Sequence, residues 1–399
     1  MSHPPLSKAA LVLTGGGARA AYQVGVLRAI ADITGFEKCP FQIISGFSAG
    51  AINGAWLASH SHRFSDVTKC MWDQWSSLTT ERVFKTDVAS VSRIALRWMR
   101  DLSLGSTNRE NQITYLLDTA PLERFIRTQI DFEKINQHMQ SGFLHGLAIT
   151  AANYRTGHST AFISGSADIE MWEKLNRVSV RTEIGAEHVM ASAAIPIFFP
   201  PVRIGDSYFG DGMVRLNSPL SPAIHMGAQR LMVIGIRGPT STSESANPET
   251  ETITIGEIAG TVLNGFFFDS LDADLARMER INRTLSVMDA KELSSTPDRL
   301  RPIPLFSLKP SEEVSCMPGP DFSRIPRTLR FLLRGIGLTE ISGMDLLSYL
   351  VFEPHYLRSL LELGYEDTML KKNQVLDFFT NPEFKSVSSL AMARSLPSS

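Results

Sequence analysis

Apolar residues run unbroken through Ala9-Ala10-Leu11-Val12-Leu13, and glycines follow almost at once. Such a run, closed by a glycine turn, predicts a strand. Behind it, residues 18–31 carry apolar positions at helical spacing and predict a helix. The pattern then repeats, with an apolar run at 41–44, a turn, and the small-residue stretch 51–57. Strand followed by helix, twice over, argues for a mostly parallel sheet covered by helices, an α/β architecture. Residues 66–140 show no strand-like alternation and predict helices at 66–78, 88–100 and 122–130. A hairpin is expected next, because apolar stretches at 143–151 and 159–163 flank the turn-rich Asn153-Tyr154-Arg155-Thr156-Gly157. Later strands are predicted at 202–204, 207–209 and 231–236.

The pattern changes at 238–252, GPTSTSESANPETET, which is polar, rich in turn formers and almost without apolar residues. Such a stretch marks a loop or a boundary. Beyond it the periodicity is mainly helical, at 255–285, 326–333, 344–350, 354–363 and a shorter run near Val375. The expected organisation is a main body over 8–238, a polar loop over 239–252, a helical C-terminal extension over 253–383 and a loosely ordered tail over 384–399.

Composition narrows the partners. The chain has 399 residues, 43% hydrophobic and 20% charged, with a net charge of −2. That balance supports a large soluble core and gives no reason to expect a nucleic acid. Cys39, Cys70 and Cys316 are odd in number and far apart, which suggests neither a disulfide framework nor a zinc site and fits a reducing compartment. The N-terminal apolar run has no charged region leading into a long apolar core, so no secretory signal is expected. No window reaches about 18 uninterrupted apolar residues, and a cytoplasmic location is expected. Membrane contact would then be peripheral, at the inner face. Two amphipathic stretches suit it: 88–100, with Arg93, Arg97 and Arg100, and 325–338, with Arg327, Arg330 and Arg334. Ordinary helices with one buried face have the same pattern.

Two glycine-rich turns carry the candidate chemistry. Thr14-Gly15-Gly16-Gly17-Ala18-Arg19-Ala20 joins the first strand to the first helix. Without side chains, its backbone N–H groups can converge on one anion, and the helix N-terminus adds positive potential. A triphosphate would call for Gly-Lys-Ser/Thr at the end of the turn, where this chain has Ala18-Arg19-Ala20. A dinucleotide fits Gly15, Gly17 and Ala20 loosely, yet the acid twenty residues on, Glu37 (37 − 17 = 20), precedes the second strand rather than ending it. The third anion is the oxyanion of an acyl transfer. It gains from the second turn, Gly46-Phe47-Ser48-Ala49-Gly50, a G-x-S-x-G pattern between strand and helix that can present Ser48 as a nucleophile. Read alone, Ser48 is equally an ordinary loop serine.

In combination these residues resemble the patatin-like phospholipases, lipid acyl hydrolases that use a Ser/Asp dyad. The resemblance lies in Gly15-Gly16-Gly17-Ala18-Arg19, in Gly46-Phe47-Ser48-Ala49-Gly50, in Ala191-Ser192-Ala193-Ala194-Ile195-Pro196 with Phe199-Pro200-Pro201, and in Asp211-Gly212. Four motifs in the family's order span roughly residues 8 to 236. The resemblance implies a three-layer α/β fold, Ser48 as nucleophile, Asp211 as its base, backbone N–H groups of Gly15, Gly16 and Gly17 as oxyanion hole, and Arg19 as support for that turn. It implies a lipid acyl ester as substrate, with no metal and no cofactor. Two positions depart from the family pattern: Ala20, where glycine is usual, and Met213, where glycine or alanine is usual. The first is expected to touch helix packing, the second to narrow the pocket.

Other readings of the same residues remain open at this level. A Ser/His/acid triad would place its histidine after Asp211, where His225 comes first, while His188 precedes it and breaks the order. A lipid-binding protein without turnover would keep the fold and lose the reaction. Ile195 to Pro201 is a candidate acyl-pocket lining, or a buried connection packed for rigidity.

Overall fold

The computed structural model describes residues 8–87, 115–238, 255–289, 300–314 and 348–386, together with positions 89, 90, 92, 94, 96, 317 and 330. The elements follow in chain order: β1 (Ala9–Leu13), α1 (Ala21–Thr34), β2 (Ile43–Phe47), α2 (Ala49–Ser59), α3 (Phe64–Ser76), α4 (Ala120–Gln129) and α5 (Phe132–Gln140). Then come β3 (Gly146–Asn153), β4 (Ser159–Gly165), β5 (Glu173–Lys174), β6 (Arg177–Arg181), α6 (Ala186–Ser192), β7 (Val202–Ile204) and β8 (Ser207–Asp211). The chain continues through α7 (Ser221–His225), β9 (Arg230–Ile234), α8 (Ile255–Leu285), β10 (Leu305–Leu308), α9 (Pro354–Leu370) and α10 (Lys372–Thr380).

The sheet runs β10-β9-β1-β2-β3-β4-β6-β5. From β10 to β3 every pairing is parallel, and antiparallel pairs enter at β3–β4, β3–β8, β5–β6 and β7–β8. The sheet is therefore mixed, with the parallel half carrying the long apolar strands. Alternate residues of those strands face opposite layers. Leu11, Leu13, Ile44, Ile149, Ile234 and Phe306 pack on one side beneath α1, α2 and α9. Ala10, Val12, Ile43, Ala148, Val233 and Leu305 pack on the other, against α7 and the Leu271-Leu275-Met278 stripe of α8. This is the three-layer α/β arrangement expected from the sequence.

Register decides where the strand ends meet. On one edge of β3, β2 pairs up to Phe47↔Thr150, and antiparallel β8 takes over at Asp211↔Ala151. The last residue of β8 thus arrives one step beyond the last residue of β2. Ser48 follows Phe47, so Ser48 and Asp211 are brought together by strand pairing before any side-chain contact is considered.

The described residues after 252 are built into this body. Their strand β10 pairs in parallel with β9, and their helix α9 crosses α1 at backbone contact. A Cβ on Gly25 would lie 2.1 Å from the Leu361 carbonyl oxygen, and one on Gly364 would lie 2.2 Å from that of Tyr22. Two glycines facing each other at the crossing allow the helices to touch without side chains between them. The periodicity matched β9 and α8, but the region 253–383 was expected to be helical, and the strand β10, entered through Pro302 and Pro304, was not foreseen. Those prolines precede the four-residue strand and bound it. β6 was also missed; its sequence, RVSVR, is only five residues long and is half-buried to exposed throughout, its Val178 and Val180 face included. Apart from positions 89, 90, 92, 94, 96 and 330, the amphipathic stretches 88–100 and 325–338 and the helix at 326–333 lie outside the described residues, as do most of 344–350, the polar loop 239–252 and the end of the tail.

Candidate active site

Ser48 is the single residue between β2 and α2. Its backbone takes φ 55° and ψ −132°, a conformation that costs a non-glycine residue on the order of 1–3 kcal/mol. Two glycines allow the bend. A Cβ on Gly46 would lie 2.4 Å from the Gly50 carbonyl oxygen, and a Cβ on Gly50 would lie 2.3 Å from that of Leu13. The bend is then held from outside. The Ser48 N–H donates to Ser192 Oγ at 2.9 Å, and the Ser192 hydroxyl donates to the Thr150 carbonyl at 2.6 Å.

The Ser48 hydroxyl donates to Asp211 Oδ2 at 2.6 Å. The other carboxylate oxygen, Oδ1, accepts the Met213 N–H at 3.0 Å, and the Asp211 N–H donates to the Ala194 carbonyl at 2.9 Å. Asp211 is 0% exposed. Burial pushes its carboxyl up to about 7, with the hydrogen bonds from Ser48 and Met213 pulling the other way. Gly212 makes this approach possible, because a Cβ there would lie 2.2 Å from the Thr150 carbonyl oxygen. Gly210 is covered by Tyr154, whose hydroxyl oxygen would stand 1.9 Å from a Cβ at 210. Burial, and then the Asp211 charge, hold the Tyr154 phenol up at about 12, so it stays protonated beside the acid.

The first glycine turn lies against this pair. A Cβ on Gly15 would lie 2.6 Å from Ser48 Cβ and 2.3 Å from Met213 Sδ. Gly17 has φ 54° and stands close to the Tyr349 backbone, with a Cβ there 2.1 Å from that carbonyl oxygen. Arg19 is buried, donating from Nε to Ser348 Oγ at 2.8 Å and from Nη1 to Tyr349 Oη at 3.2 Å. Its guanidinium also sits 4.3 Å from the Tyr349 ring centroid. The turn is thus braced by the strand-crossing body on one side and by residues 348–349 on the other. Met213 packs with Phe47 and Leu216 and presses its sulfur on Gly15, while buried Ala20 accepts the Asn53 side-chain N–H at 3.2 Å.

An apolar slot opens beside Ser48, lined by Trp75, Leu78, Phe125, Ile195, Phe199 and Phe352 among others. Its volume is about 30 Å³, room for little more than one water molecule. An acyl chain would have to part these side chains. Within the stretch 195–201, Ile195 and Phe199 face the slot, whereas Ile197 points outward, 58% exposed with φ 72°. Ile195 and Phe199 are thus placed to line the slot, and Ile197 is not.

Ser48, Asp211 and Gly15–Gly17 come together at one place, with Arg19 behind the turn. Neither His225 nor His188 joins the Ser48 hydroxyl. His225 stacks on Trp172 at 4.5 Å, and His188 accepts the Gly185 N–H through Nδ1 at 3.0 Å. Sequence reasoning gave no role to Ser192 or Tyr154, or to Ser348 and Tyr349. Ser192 sat inside a quoted motif without a contact to suggest one, and the others carry no local signal. Among the described residues, no three His, Cys, Asp or Glu side chains gather as a metal site. Nor is any helix there long and apolar enough to cross a membrane.

A family model described as patatin-like phospholipase matches residues 11–224, more than half of the chain. A search of curated proteins gives no match. Solved structures similar to this chain include VipD from Legionella pneumophila, at 13% identity and TM-score 0.33, covering 94% of this chain and 67% of that one. Human GIVD cytosolic phospholipase A2, bound to a methyl γ-linolenyl fluorophosphonate inhibitor and terbium chloride, is 14% identical with TM-score 0.46, covering 94% and 60%. ExoU of Pseudomonas aeruginosa in complex with SpcU is 15% identical with TM-score 0.26, covering 75% and 59%. The chain spans about three fifths of the length of the last two.

Proposed function

The chain belongs to the patatin-like phospholipase family, and from that premise we propose that it hydrolyses carboxylic ester bonds of lipids, in the manner of a phospholipase A or a lysophospholipase. The observation that carries the proposal is the 2.6 Å hydrogen bond from the Ser48 hydroxyl to buried Asp211, at a serine held in a strained turn. In this reading Ser48 Oγ attacks the acyl carbonyl while its proton passes to Asp211 Oδ2. The carbonyl oxygen becomes an oxyanion and takes hydrogen bonds from backbone N–H groups of Gly15, Gly16 and Gly17. When the tetrahedral intermediate collapses, the ester C–O bond breaks, Asp211 returns the proton to the leaving alkoxide, and Ser48 keeps the acyl group. Water repeats the steps in the second half, giving its proton to Asp211 and releasing a fatty acid.

A free carboxylate near 3.9 is a weak base for a serine hydroxyl. Burial brings Asp211 to about 7, so around neutral pH it is partly ionised and markedly more basic than an exposed aspartate. Arg19 and the 348–349 segment serve as supports, keeping the glycine turn aligned with Ser48. The apolar slot receives the acyl chain, and the dyad's proton transfers ask for no metal or cofactor. Peripheral contact with a lipid surface, on the cytoplasmic side, belongs to the same proposal, since the substrate resides there.

The test is labelling of the purified protein with an alkyl fluorophosphonate, peptide mass mapping of the modified residue, and Ser48→Ala as control. Label on Ser48, with release of fatty acid from phospholipid or lysophospholipid vesicles by the wild type alone, is the expected result. Folded protein that binds fatty acid but neither labels nor hydrolyses would turn the reading to a lipid-binding protein.

A further inference from the structure

Phe125 stands where two different spaces meet. On one side is the apolar slot that begins at Ser48. On the other is a wider notch of about 260 Å³, lined by Arg82, Arg124, Thr128 and Gln129 along with Phe125 itself. Its ring is clamped in place. The Trp56 ring meets it edge-on at 5.7 Å, and the Arg82 guanidinium lies 5.3 Å from its centroid. Arg82 is itself tethered, donating from Nη2 to Gln74 Oε1 at 3.1 Å. Phe125 is buried, whereas Arg82 and Arg124 are exposed.

The geometry points to Phe125 as the residue that sets how long an acyl chain the site accepts. Each methylene that stays within the slot gains burial worth about 0.8 kcal/mol. A chain long enough to reach Phe125 must either displace a ring held between Trp56 and Arg82 or stop. Past the ring, the space is polar and open, so further methylenes would gain little burial. Turnover should therefore rise with chain length and then fall once the chain end reaches the ring. Removing the ring joins slot and notch, and a longer chain can run out along the arginine stems. The substrate class is thus an ester whose acyl chain ends at Phe125. The inference rests on the acyl-hydrolase reading of Ser48.

The experiment measures kcat/KM for p-nitrophenyl acetate, butyrate, octanoate, laurate and palmitate, with wild type, Phe125→Ala and Phe125→Trp. Phe125→Leu, a smaller truncation that keeps an apolar group against Trp56, serves if the alanine variant fails to fold by circular dichroism. The quantity read is the ratio of long-chain to short-chain kcat/KM within each protein. The alanine or leucine variant should raise the palmitate-to-butyrate ratio by about tenfold or more, the scale on which methylene-sized changes in an apolar pocket discriminate. Tryptophan should move the optimum to shorter chains. Ethyl fluorophosphonate labelling of Ser48 in the wild type separates the two ways of failing. If Ser48 labels and the ratio is the same in all variants, the role of Phe125 is overturned alone. If Ser48 does not label, the acyl-hydrolase reading falls and this inference with it.

Discussion

The Ser192 hydroxyl oxygen lies 2.9 Å from the backbone nitrogen of Ser48 and accepts its hydrogen bond, so a buried serine on α6 holds the strained residue between β2 and α2. The same hydroxyl donates to the Thr150 carbonyl on β3 at 2.6 Å, next to the point where β2 gives way to β8. One small side chain therefore ties α6 to the bend after β2 and to β3, beside the Ser48–Asp211 pair. Replacing Ser192 by alanine leaves a buried N–H and a buried carbonyl without this partner, at a cost of roughly 1–3 kcal/mol each. Ser192→Ala is expected to melt several degrees lower and to lose kcat by one to two orders of magnitude, roughly, as a misplaced nucleophile does. KM should change little, because the slot is untouched. Steady-state kinetics with thermal melting checks this, and a variant that melts lower with kcat intact would remove Ser192 from the positioning role.

Asp211 makes activity and stability pull in opposite directions. Its folded-state carboxyl, at about 7, is above the value near 3.9 that it has in an unfolded chain. The native state therefore holds this proton more tightly than the unfolded state does. The associated stabilisation is fully present below about pH 4 and is lost as pH rises through about 7. Asparagine at 211 can accept the Met213 N–H through Oδ1 and donate from Nδ2 to the Ser48 hydroxyl oxygen, without a buried charge. Asp211→Asn should abolish turnover while raising the melting temperature relative to wild type at pH 8, with the gap closing toward pH 4. The wild-type kcat/KM profile should show an acidic limb near pH 7, where Asp211 becomes free to take a proton. An acidic limb near pH 4 would contradict the assignment of Asp211 as base in this environment.

Gly15 tests the oxyanion turn. A methyl group there would overlap both Met213 Sδ, at 2.3 Å, and Ser48 Cβ, at 2.6 Å. The methionine sulfur ends a flexible chain and can swing away, but Ser48 Cβ cannot. Gly15→Ala should lose activity by two orders of magnitude or so, the scale of a lost oxyanion donor. The double variant Gly15→Ala with Met213→Ala should remain as impaired. Recovery in the double variant would show that only the methionine contact mattered.

Much of this arrangement was legible in the sequence for a physical reason: local geometry writes local signals. The strand β1, the bend at Ser48 and the glycine turn each depend on neighbours within a few residues, and glycines or apolar runs mark them. Asp211-Gly212 was readable only because other motifs accompanied it; alone it is a turn. What escaped is long-range. Ser192 reaches Ser48 across 144 positions, and Arg19 reaches Tyr349 across 330. No periodicity encodes such partners. The role of the C-terminal region escaped for the same reason. Gly25 and Gly364 look like defects in two separate helices until their facing positions are known.

That crossing supports one further expectation, about what the C-terminal region does for the site. Tyr349 accepts a hydrogen bond from Arg19, carries its guanidinium on the ring, and places its own backbone carbonyl against Gly17. Tyr349→Phe keeps the ring and removes only the hydroxyl. The backbone contact to Gly17 and the bond from Arg19 to Ser348 remain, so the fold should lose no more than about 1–2 kcal/mol. If the hydroxyl helps to aim Arg19, and Arg19 steadies the glycine turn, kcat should fall about threefold to tenfold, an effect of order 1 kcal/mol on the transition state. Arg19→Lys should fall further, because a lysine ammonium cannot keep both the forked bonds and the stacking. Measured as kcat against KM on a soluble ester, both variants should act on kcat. An effect confined to KM would place residue 349 in substrate binding, and equal kcat in wild type and both variants would leave the C-terminal segment a purely structural support.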